Sequence, residues 1–503
     1  MFVLAVALAV IAILYGTSGR LVFPIDDAYI NIGLGRRFFE GTAGGEFPSG
    51  TTAFGWSLLT GALSIVVGGW TVWAVVFINV AGGFWILSQL AGLLPNRGRS
   101  IPETTFLLWA MLFAGLPFLA VLGMEHLWHG AFVIAALAAM ARLLENGDAR
   151  DGRRLVAFVL LAALCRQETM FLGIALAVTL AVHGLHRWIA GTLVAAFLPV
   201  VAQGALQLVQ GKSFIANPAA IKGGKGQIEG AWTSLLSSKL IPTISDVPLA
   251  IGLACLVLFV LLLRPPARRI VTMRAIAATT LMYGAAHMFF AQVGWLGRYQ
   301  TPIIACVVTM LAVCFPSGSV QWRSIAEKLI YGPALVIALV WTATANERGK
   351  AMLQLPFISR EVADQMCRIG DITKLAPKNE PVVMNDVGCT TFFLDNPIID
   401  LYGLTSYEAR ALGGREYLTK RAIDGLARGH GAKMAIINKN WFSNRIPDDW
   451  VEIGHWTTAT KAYAADHTVT VYATNPEWRD EVASRWRTYV RNAGKPPHVR
   501  FDD

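Results

Sequence analysis

Two adjacent carboxylates, Asp26 and Asp27, follow directly on the first apolar segment of the chain, residues 2–15. An ionised side chain is costly in hydrocarbon, so a paired acid at this position is expected in water or in a polar cavity at the membrane surface. There a carboxylate can accept a proton from a reacting hydroxyl group or bind a divalent cation. The alternative role is the N-cap of a helix over residues 28–39. Both roles can hold together, and we predict a catalytic function for the pair.

Further polar residues interrupt or end later apolar runs. Glu125 and His126 stand between two such runs, as a second acid of the site or as a favourable charge at a helix N-terminus. Arg166 and Glu168 interrupt the apolar stretch 155–183. They can pair with each other, or the guanidinium group can bind a phosphate.

Three more cations and a tyrosine complete the set of candidate site residues. Arg298 and Tyr299 precede an apolar run, where the arginine is either a phosphate ligand or an anchor at the membrane interface. Lys222 and Lys225 lie in a glycine-rich segment, as solvated charges or as mobile phosphate contacts. None of these residues alone indicates a phosphate-binding site. Their coincidence on one membrane face predicts a site for a phosphate-bearing substrate.

The composition is that of a membrane protein. Of the 503 residues, 54% are hydrophobic and 15% are charged, whereas about 25% of a soluble domain is charged. The net charge is +10, but many of the arginines sit in short loops between apolar runs. This distribution is typical of topology signals and not of a clustered nucleic-acid-binding face. The cysteines show no spacing typical of a zinc site.

Apolar runs of spanning length predict about eleven membrane helices. The stretch 155–183 is interrupted at 165–169 and is predicted to form two short spans joined by a turn. The other predicted spans cover residues 2–15, 71–94, 104–122, 127–144, 188–209, 246–263, 273–292, 299–316 and 329–345.

The basic loops predict the orientation of the chain, because short loops rich in Lys and Arg stay in the cytoplasm. Placing them inside and Asp26 outside requires an odd number of crossings between residues 53 and 94. We therefore predict that 53–69 is a re-entrant or membrane-surface segment at the outer face. The N-terminus is then inside, the C-terminus is outside, and the candidate site residues meet at the outer face of the membrane. The basic loops are 95–103, 142–154, 264–274 and 317–328.

After residue 346 the chain becomes richer in charge, and short β-like runs alternate with turn residues. We predict a membrane domain over 1–345 and a compact α/β or α+β domain over 346–503 on the outer face. A helical pattern lies at about 416–428, and the last twenty or so residues are expected to be a loose tail. The predicted strands are 381–385, 391–394, 398–401 and 434–437.

The order of these features resembles the GT-C superfamily of integral-membrane glycosyltransferases. Within it, the chain is most similar to the bacterial group that includes the terminal arabinofuranosyltransferases of actinobacterial cell walls. The sequence departs from that group at Ala53 and Gln167, where the group usually has proline. These two differences bear more on the identity of the donor sugar than on the class of enzyme. The resemblance rests on residues 26–30, 41, 50–56, 123–125, 165–168, 217–222, 298–302, 385–388 and 400–404.

The resemblance implies that a sugar passes, with inversion, from a polyprenyl-phosphate lipid to a cell-envelope glycan or glycolipid. One first-loop acid would deprotonate the acceptor hydroxyl, and Asp26 is preferred slightly because it lies nearer the membrane edge. The sequence indicates no certain cofactor, but the resemblance leaves open a divalent cation held by Asp26, Asp27 or Glu125. The cations that would bind the leaving phosphate are Arg166, Arg298, Lys222 and Lys225.

Two other classes of protein remain open. A transporter would place charges within its spans and often contains repeated halves, whereas here the charges cluster at one face and no repeat is evident. A non-catalytic protein of envelope assembly would not need the convergence of acids and arginines. The sequence therefore favours the enzyme.

Cys367 and Cys389 would be the only cysteines outside both the cytoplasm and the spans, where thiols tend to oxidise. A bridge would close a loop of roughly twenty residues and stabilise the fold by about 3 kcal/mol. Two unpaired buried thiols are the alternative, because a sequence does not give the Cα separation that a bridge requires.

Overall fold

The computed structural model describes residues 1–42, 46–222, 267–291, 296–313, 315, 347–462, 466–494 and 498–502. The predicted spans 246–263 and 329–345, the basic loop 317–328 and Lys225 lie outside these residues. The backbone of Lys222 is described, but its side chain is not.

Helices and short turns make up the described chain as far as residue 313. Among the described residues, three helical stretches are long and apolar enough to cross a membrane: Phe54–Leu93, His126–Asn146 and His186–Val209. In order, the helices are α1 (Phe2–Gly16), α2 (Asp27–Glu40), α3 (Phe54–Val67), α4 (Thr71–Leu93), α5 (Ile101–Phe113), α6 (Leu116–Val121), α7 (His126–Asn146), α8 (Ala149–Cys165), α9 (Thr169–Val182), α10 (Ile189–Val209), α11 (Asn217–Lys222), α12 (Ala267–Phe290) and α13 (Thr301–Val313).

Several predicted spans match these helices. The break at 165–169 is confirmed, since α8 ends at Cys165 and α9 begins at Thr169. The run 104–122 is two helices and not one, because Gly115 adopts a left-handed conformation (φ 59°) between α5 and α6. The total of about eleven spans and the re-entrant path of 53–69 stay predictions.

Helix α7 lies at the centre of the bundle and packs against α4, α8 and α13. Its buried residues include a run of small side chains that lets neighbouring helices approach closely, among them Ala135 and Ala138. Large apolar side chains such as Phe77 and Leu112 point outward and are exposed. A bundle with an apolar exterior is suited to a lipid environment.

The C-terminal part contains a six-stranded sheet with strand order β2-β1-β3-β5-β4-β6. The first three strands are parallel, with Val382 opposite Ile398 and Met434, and the others are antiparallel. Both faces are covered, one around Trp486 and the other around Phe442. The strands are β1 (Val382–Met384), β2 (Ile398–Asp400), β3 (Met434–Ile437), β4 (Val451–Thr458), β5 (Thr468–Ala473) and β6 (Val499–Asp502).

Eight further helices accompany this sheet. They are α14 (Glu347–Glu361), α15 (Cys367–Thr373), α16 (Gly388–Phe393), α17 (Tyr407–Ala411), α18 (Gly414–Tyr417), α19 (Lys420–Gly429), α20 (Lys439–Phe442) and α21 (Arg479–Ala493), and a π-helix over Val362–Met366 follows α14.

Two sequence-based predictions for this region are wrong. Residues 391–394 were predicted as a strand, but 391–393 belong to α16, because so short an apolar run does not distinguish a strand from a buried helix. The end of the chain is not a loose tail. Trp486 of α21 is buried, and β6 pairs with β4.

The two parts of the molecule are joined through α14, which packs against α1. The backbone of Pro356 lies so close to Gly16 that a Cβ atom there would be 2.2 Å from its carbonyl oxygen. A disulfide then links Cys367 of α15 to Cys389 of α16, with Cα atoms 4.9 Å apart. Of the two alternatives for these cysteines, the bridge is the one found.

Candidate active site

The acid pair lies where α2 begins. Asp26 precedes the helix, Asp27 is its first residue, and both are partly exposed. Among the described residues, the side chain of Asp26 accepts no capping hydrogen bond from α2. Asp26 thus occupies the N-cap position of α2, but its carboxylate does not bond the helix and is available for another role.

Arg298 is ion-paired with Asp27 and is completely buried. Its Nη2 also donates a hydrogen bond to the hydroxyl oxygen of Tyr299, at 3.1 Å. Both residues belong to a single 3₁₀ turn, Arg298–Gln300, immediately before α13. The alternative of an anchor at the membrane interface does not fit a guanidinium group enclosed by protein.

Tyr299 brings the two predicted arginines together. The Cζ atoms of Arg298 and Arg166 lie 4.9 Å and 5.1 Å from the centre of its ring. The imidazole of His126 meets the same ring edge-on, with centroids 5.5 Å apart. Cation–π attraction to a shared ring holds both positive charges within one small volume.

Arg166 makes ion pairs with two carboxylates. Its Nε and Nη2 donate to Glu168 at 3.1 Å and 2.6 Å, and its Nη1 donates to Glu125 at 2.5 Å. The Glu125 carboxylate also lies 3.5 Å from Nδ1 of His126. The pairing alternative for Arg166 and Glu168 is therefore the one found, and Glu125 and His126 join the same network.

Arg348 positions the turn that contains Arg298. From α14, its Nη2 and Nε donate to the carbonyl of Gly297 at 2.6 Å and 3.1 Å, and its Nη2 donates to Thr301 at 2.9 Å. Gly297 has a left-handed φ of 68°, which glycine adopts without a Cβ penalty. Sequence reasoning missed Arg348, since an arginine just after an apolar span looks like an ordinary topology signal.

Asp386 is the second residue that sequence reasoning missed as a site residue. It follows β1, is buried, and its carboxyl group is in hydrogen-bonding contact with that of Asp26. Burial, followed by the negative charge of Asp27, raises the pKa of Asp26 to about 6. Burial and the charge of Asp26 raise the pKa of Asp386 well above its usual range. The motif 385–388 was the only signal in the sequence.

The predicted phosphate contacts of the two lysines stay predictions, because neither side chain is among the described residues. Lys222 is the last residue of α11, and Lys225 lies outside the described residues. Within the described ranges, no group of three or more His, Cys, Asp or Glu residues is arranged to hold a metal ion. Glu125, one of the candidate ligands, is instead engaged by Arg166. We assign no reaction step to a metal.

Comparisons with known proteins concern the fold. A family model described as a domain of unknown function (DUF8728) matches residues 357–472, and no curated protein matches the chain in sequence. ArnT from Cupriavidus metallidurans in the apo state is similar in structure, with a TM-score of 0.51 and 15% identity over 96% of this chain and 98% of that chain.

Two further solved structures are more distantly similar. ArnT from Cupriavidus metallidurans bound to undecaprenyl phosphate has a TM-score of 0.48 and 12% identity, covering 94% of this chain and 98% of that chain. The archaeal oligosaccharyltransferase AglB from Archaeoglobus fulgidus, in complex with an inhibitory peptide and a dolichol-phosphate, has a TM-score of 0.45 and 12% identity. That similarity covers 95% of this chain and 74% of the other.

The similarity to apo ArnT extends over nearly the whole of both chains, so the chain shares the fold of that protein. The polytopic membrane architecture with a C-terminal sheet domain, expected from the sequence, is confirmed. The resemblance to arabinofuranosyltransferases stays a prediction.

Proposed function

We propose that the protein is an inverting glycosyltransferase that moves a sugar from a polyprenyl-phosphate lipid to a hydroxyl group of a cell-envelope glycan or glycolipid. The observation that carries this proposal is the ion pair between Asp27 and buried Arg298, directly beside the carboxylate of Asp26. The ion pair places a cation, Arg298, beside a proton acceptor, Asp26. A proton acceptor and a cation are the two groups that such a transfer needs.

Asp26 is the general base in this reaction. Its carboxylate removes the proton from the acceptor hydroxyl, whose oxygen attacks the anomeric carbon from the side opposite the phosphate. The bond between that carbon and the phosphate oxygen breaks, and the phosphate keeps the electron pair. A pKa of about 6 leaves Asp26 ionised at neutral pH and basic enough to accept the proton.

Arg298 stabilises the departing phosphate. A guanidinium group offers paired donors that match phosphate oxygens, and the low polarity of a buried site strengthens the interaction. Asp27 and Tyr299 hold this group in place. Arg166 lies over the same tyrosine ring and adds a second positive charge, although Glu125 and Glu168 partly neutralise it.

We place the site and the sheet domain on the outer face of the plasma membrane. The disulfide between Cys367 and Cys389 supports this orientation, because such bonds persist in oxidising compartments and are rare in the cytoplasm. A lipid-linked donor also suits an outer-face site.

Purified protein in lipid vesicles tests the proposal with a panel of radiolabelled polyprenyl-phosphate sugars, in which arabinofuranose is the first choice. We expect transfer from one donor to an extracted envelope glycan or glycolipid, and no transfer by the Asp26→Asn variant. Movement of a donor or sugar across the vesicle without transfer would support a transporter instead. If the folded protein neither transfers nor moves any donor, the enzymatic proposal fails.

A further inference from the structure

The carboxyl end of β1 faces the candidate active site from the C-terminal domain. Asp386 follows that strand and is only 7% exposed. Its carboxyl group contacts that of Asp26, which belongs to the first loop of the membrane domain. Among the described residues, its Oδ1 is buried and has no protein hydrogen-bond partner.

The contact is set by a tight interface between α2 and α16. A Cβ atom on Gly388 would lie 2.4 Å from the Cβ and 2.5 Å from the Oδ2 of Asp26, so only glycine permits this approach. Arg36 and Arg37 of α2 donate to the carbonyls of Phe392 at 2.9 Å and Leu394 at 3.3 Å. These cations complement the carboxyl end of α16 and fix its position.

The charges around the pair decide which acid keeps the proton. Two carboxyl groups in hydrogen-bonding contact cannot both be ionised without strong repulsion. Asp26 faces the negative charge of Asp27 but also the positive charge of Arg298. Asp386 is more deeply buried and faces Asp26, Asp27 and Asp400. The proton therefore belongs on Asp386, and the negative charge stays on Asp26.

We propose that Asp386 is a positioning residue, whose protonated carboxyl donates a hydrogen bond to Asp26 and aims that carboxylate at the acceptor hydroxyl. The inference rests on the proposed function and deepens it, because it makes the C-terminal domain a part of the active site. Asp386 does not touch the substrate and acts through Asp26. The remaining oxygen of Asp26 then accepts the substrate proton.

Two substitutions separate this role from a purely structural one. Asp386→Asn keeps a donor toward Asp26, whereas Asp386→Ala removes it. Without the donor, the ionised form of Asp26 is less stabilised, so its pKa rises. We expect the acid limb of the rate profile to move up by about one pH unit or more in the alanine variant. The transfer rate of this variant should fall by about tenfold to a hundredfold. The transfer rate and the acid limb of the asparagine variant should stay much closer to those of the wild type.

A matched control is Asp448, an exposed acid of the same domain that pairs with Lys420. Its Asn and Ala variants should leave the rate and the acid limb unchanged. Thermal unfolding of every variant reports whether it folds. Equal losses in Asp386→Asn and Asp386→Ala, with an unmoved acid limb in both, would show that Asp386 is only structural and would overturn the proposal.

An infrared measurement on the purified protein decides the question without turnover. The wild type at neutral pH should show the C=O stretch of a protonated, hydrogen-bonded carboxyl that is lost in Asp386→Asn and kept in Asp448→Asn. If the wild type and Asp386→Asn spectra are identical in this region, Asp386 is not protonated and the proposal is wrong. If no donor supports transfer but the band behaves as expected, the proposed function fails while the carboxyl pair stands.

Discussion

The guanidinium group of Arg298 is paired with the carboxylate of Asp27, although the two residues are 271 positions apart in the chain. A buried charge is costly unless it is paired, so each residue fixes the other. The pair binds the turn before α13 to the start of α2 and places a cation beside Asp26. Substitution of either partner will therefore disturb both the acid and the cation of the site.

Asp26→Asn should reduce transfer by about 10²–10⁴-fold with little effect on donor KM, because it removes only the proton acceptor. Asp27→Asn should act differently. It leaves Arg298 without its carboxylate, so we expect donor KM to rise as well. Steady-state kinetics on both variants, with thermal unfolding as the folding control, distinguish the two roles. A fully active Asp26→Asn enzyme would remove that residue from the mechanism.

Transfer should depend on pH with an acid limb near 6. The base must be ionised, and burial together with the charge of Asp27 raises the pKa of Asp26 to about 6. The ionised fraction, and with it kcat/KM, should therefore fall as the pH drops through that value. The rate profile between pH 4.5 and 8 checks this expectation. A limb near the ordinary value of a free aspartate, about 4, would contradict it.

Arg298→Lys keeps the positive charge but loses the planar paired donors, so donor binding should weaken by about 10–100-fold. The matched control is Arg421→Lys on the exposed surface of α19, which should bind the donor normally. Donor KM measured at saturating acceptor makes the comparison. Equal affinity in the two variants would show that Arg298 does not contact the phosphate.

Reduction of the unfolded protein should raise the number of reactive thiols by two, because Cys367 and Cys389 are bonded. Replacing either cysteine by serine should lower the free energy of unfolding of the C-terminal domain by about 3 kcal/mol. Thiol titration with and without reductant gives the count, and denaturant unfolding gives the stability. Cys165→Ser is a control for the count, since Cys165 is unbridged and its loss should leave the increase at two.

The two faces of the protein should label from opposite sides of the membrane. Glu145, at the end of α7, and Lys378, in the C-terminal domain, are both exposed and suited to cysteine substitution. A membrane-impermeant maleimide should label Lys378→Cys in intact spheroplasts and Glu145→Cys only after permeabilisation. Labelling of both positions in intact cells would refute the predicted orientation.

The site residues that could be predicted from the sequence are those that stand out against an apolar background. Arg166 and Arg298 are conspicuous at the ends of apolar runs, because a charge there needs a physical reason. Asp386 follows a strand in a polar domain, where an acidic turn residue is ordinary. The role of Asp386 depends on its contact with Asp26, which is far away in the sequence. Neither composition nor periodicity predicts such a contact.

The errors in the fold have a similar cause. Residues 391–394 were assigned by local β propensity, but this segment packs against α2, where Arg36 and Arg37 donate hydrogen bonds to its carbonyls. The closing strand β6 depends on its partner β4, which lies about forty residues earlier. The parallel strands β1, β2 and β3 were found because each is a short, fully buried apolar run.

The contact of Arg36 with the carbonyl of Phe392 joins positions 356 residues apart and has a consequence for biogenesis. A chain is made from its N-terminus, so Asp26 enters the membrane long before Asp386 has been synthesised. In the proposed orientation, Asp26 has no contact with Asp386 until the C-terminal domain has crossed the membrane and folded against α2. If the proposed function holds, a truncated protein that lacks the C-terminal domain should transfer sugar much more slowly than the full chain.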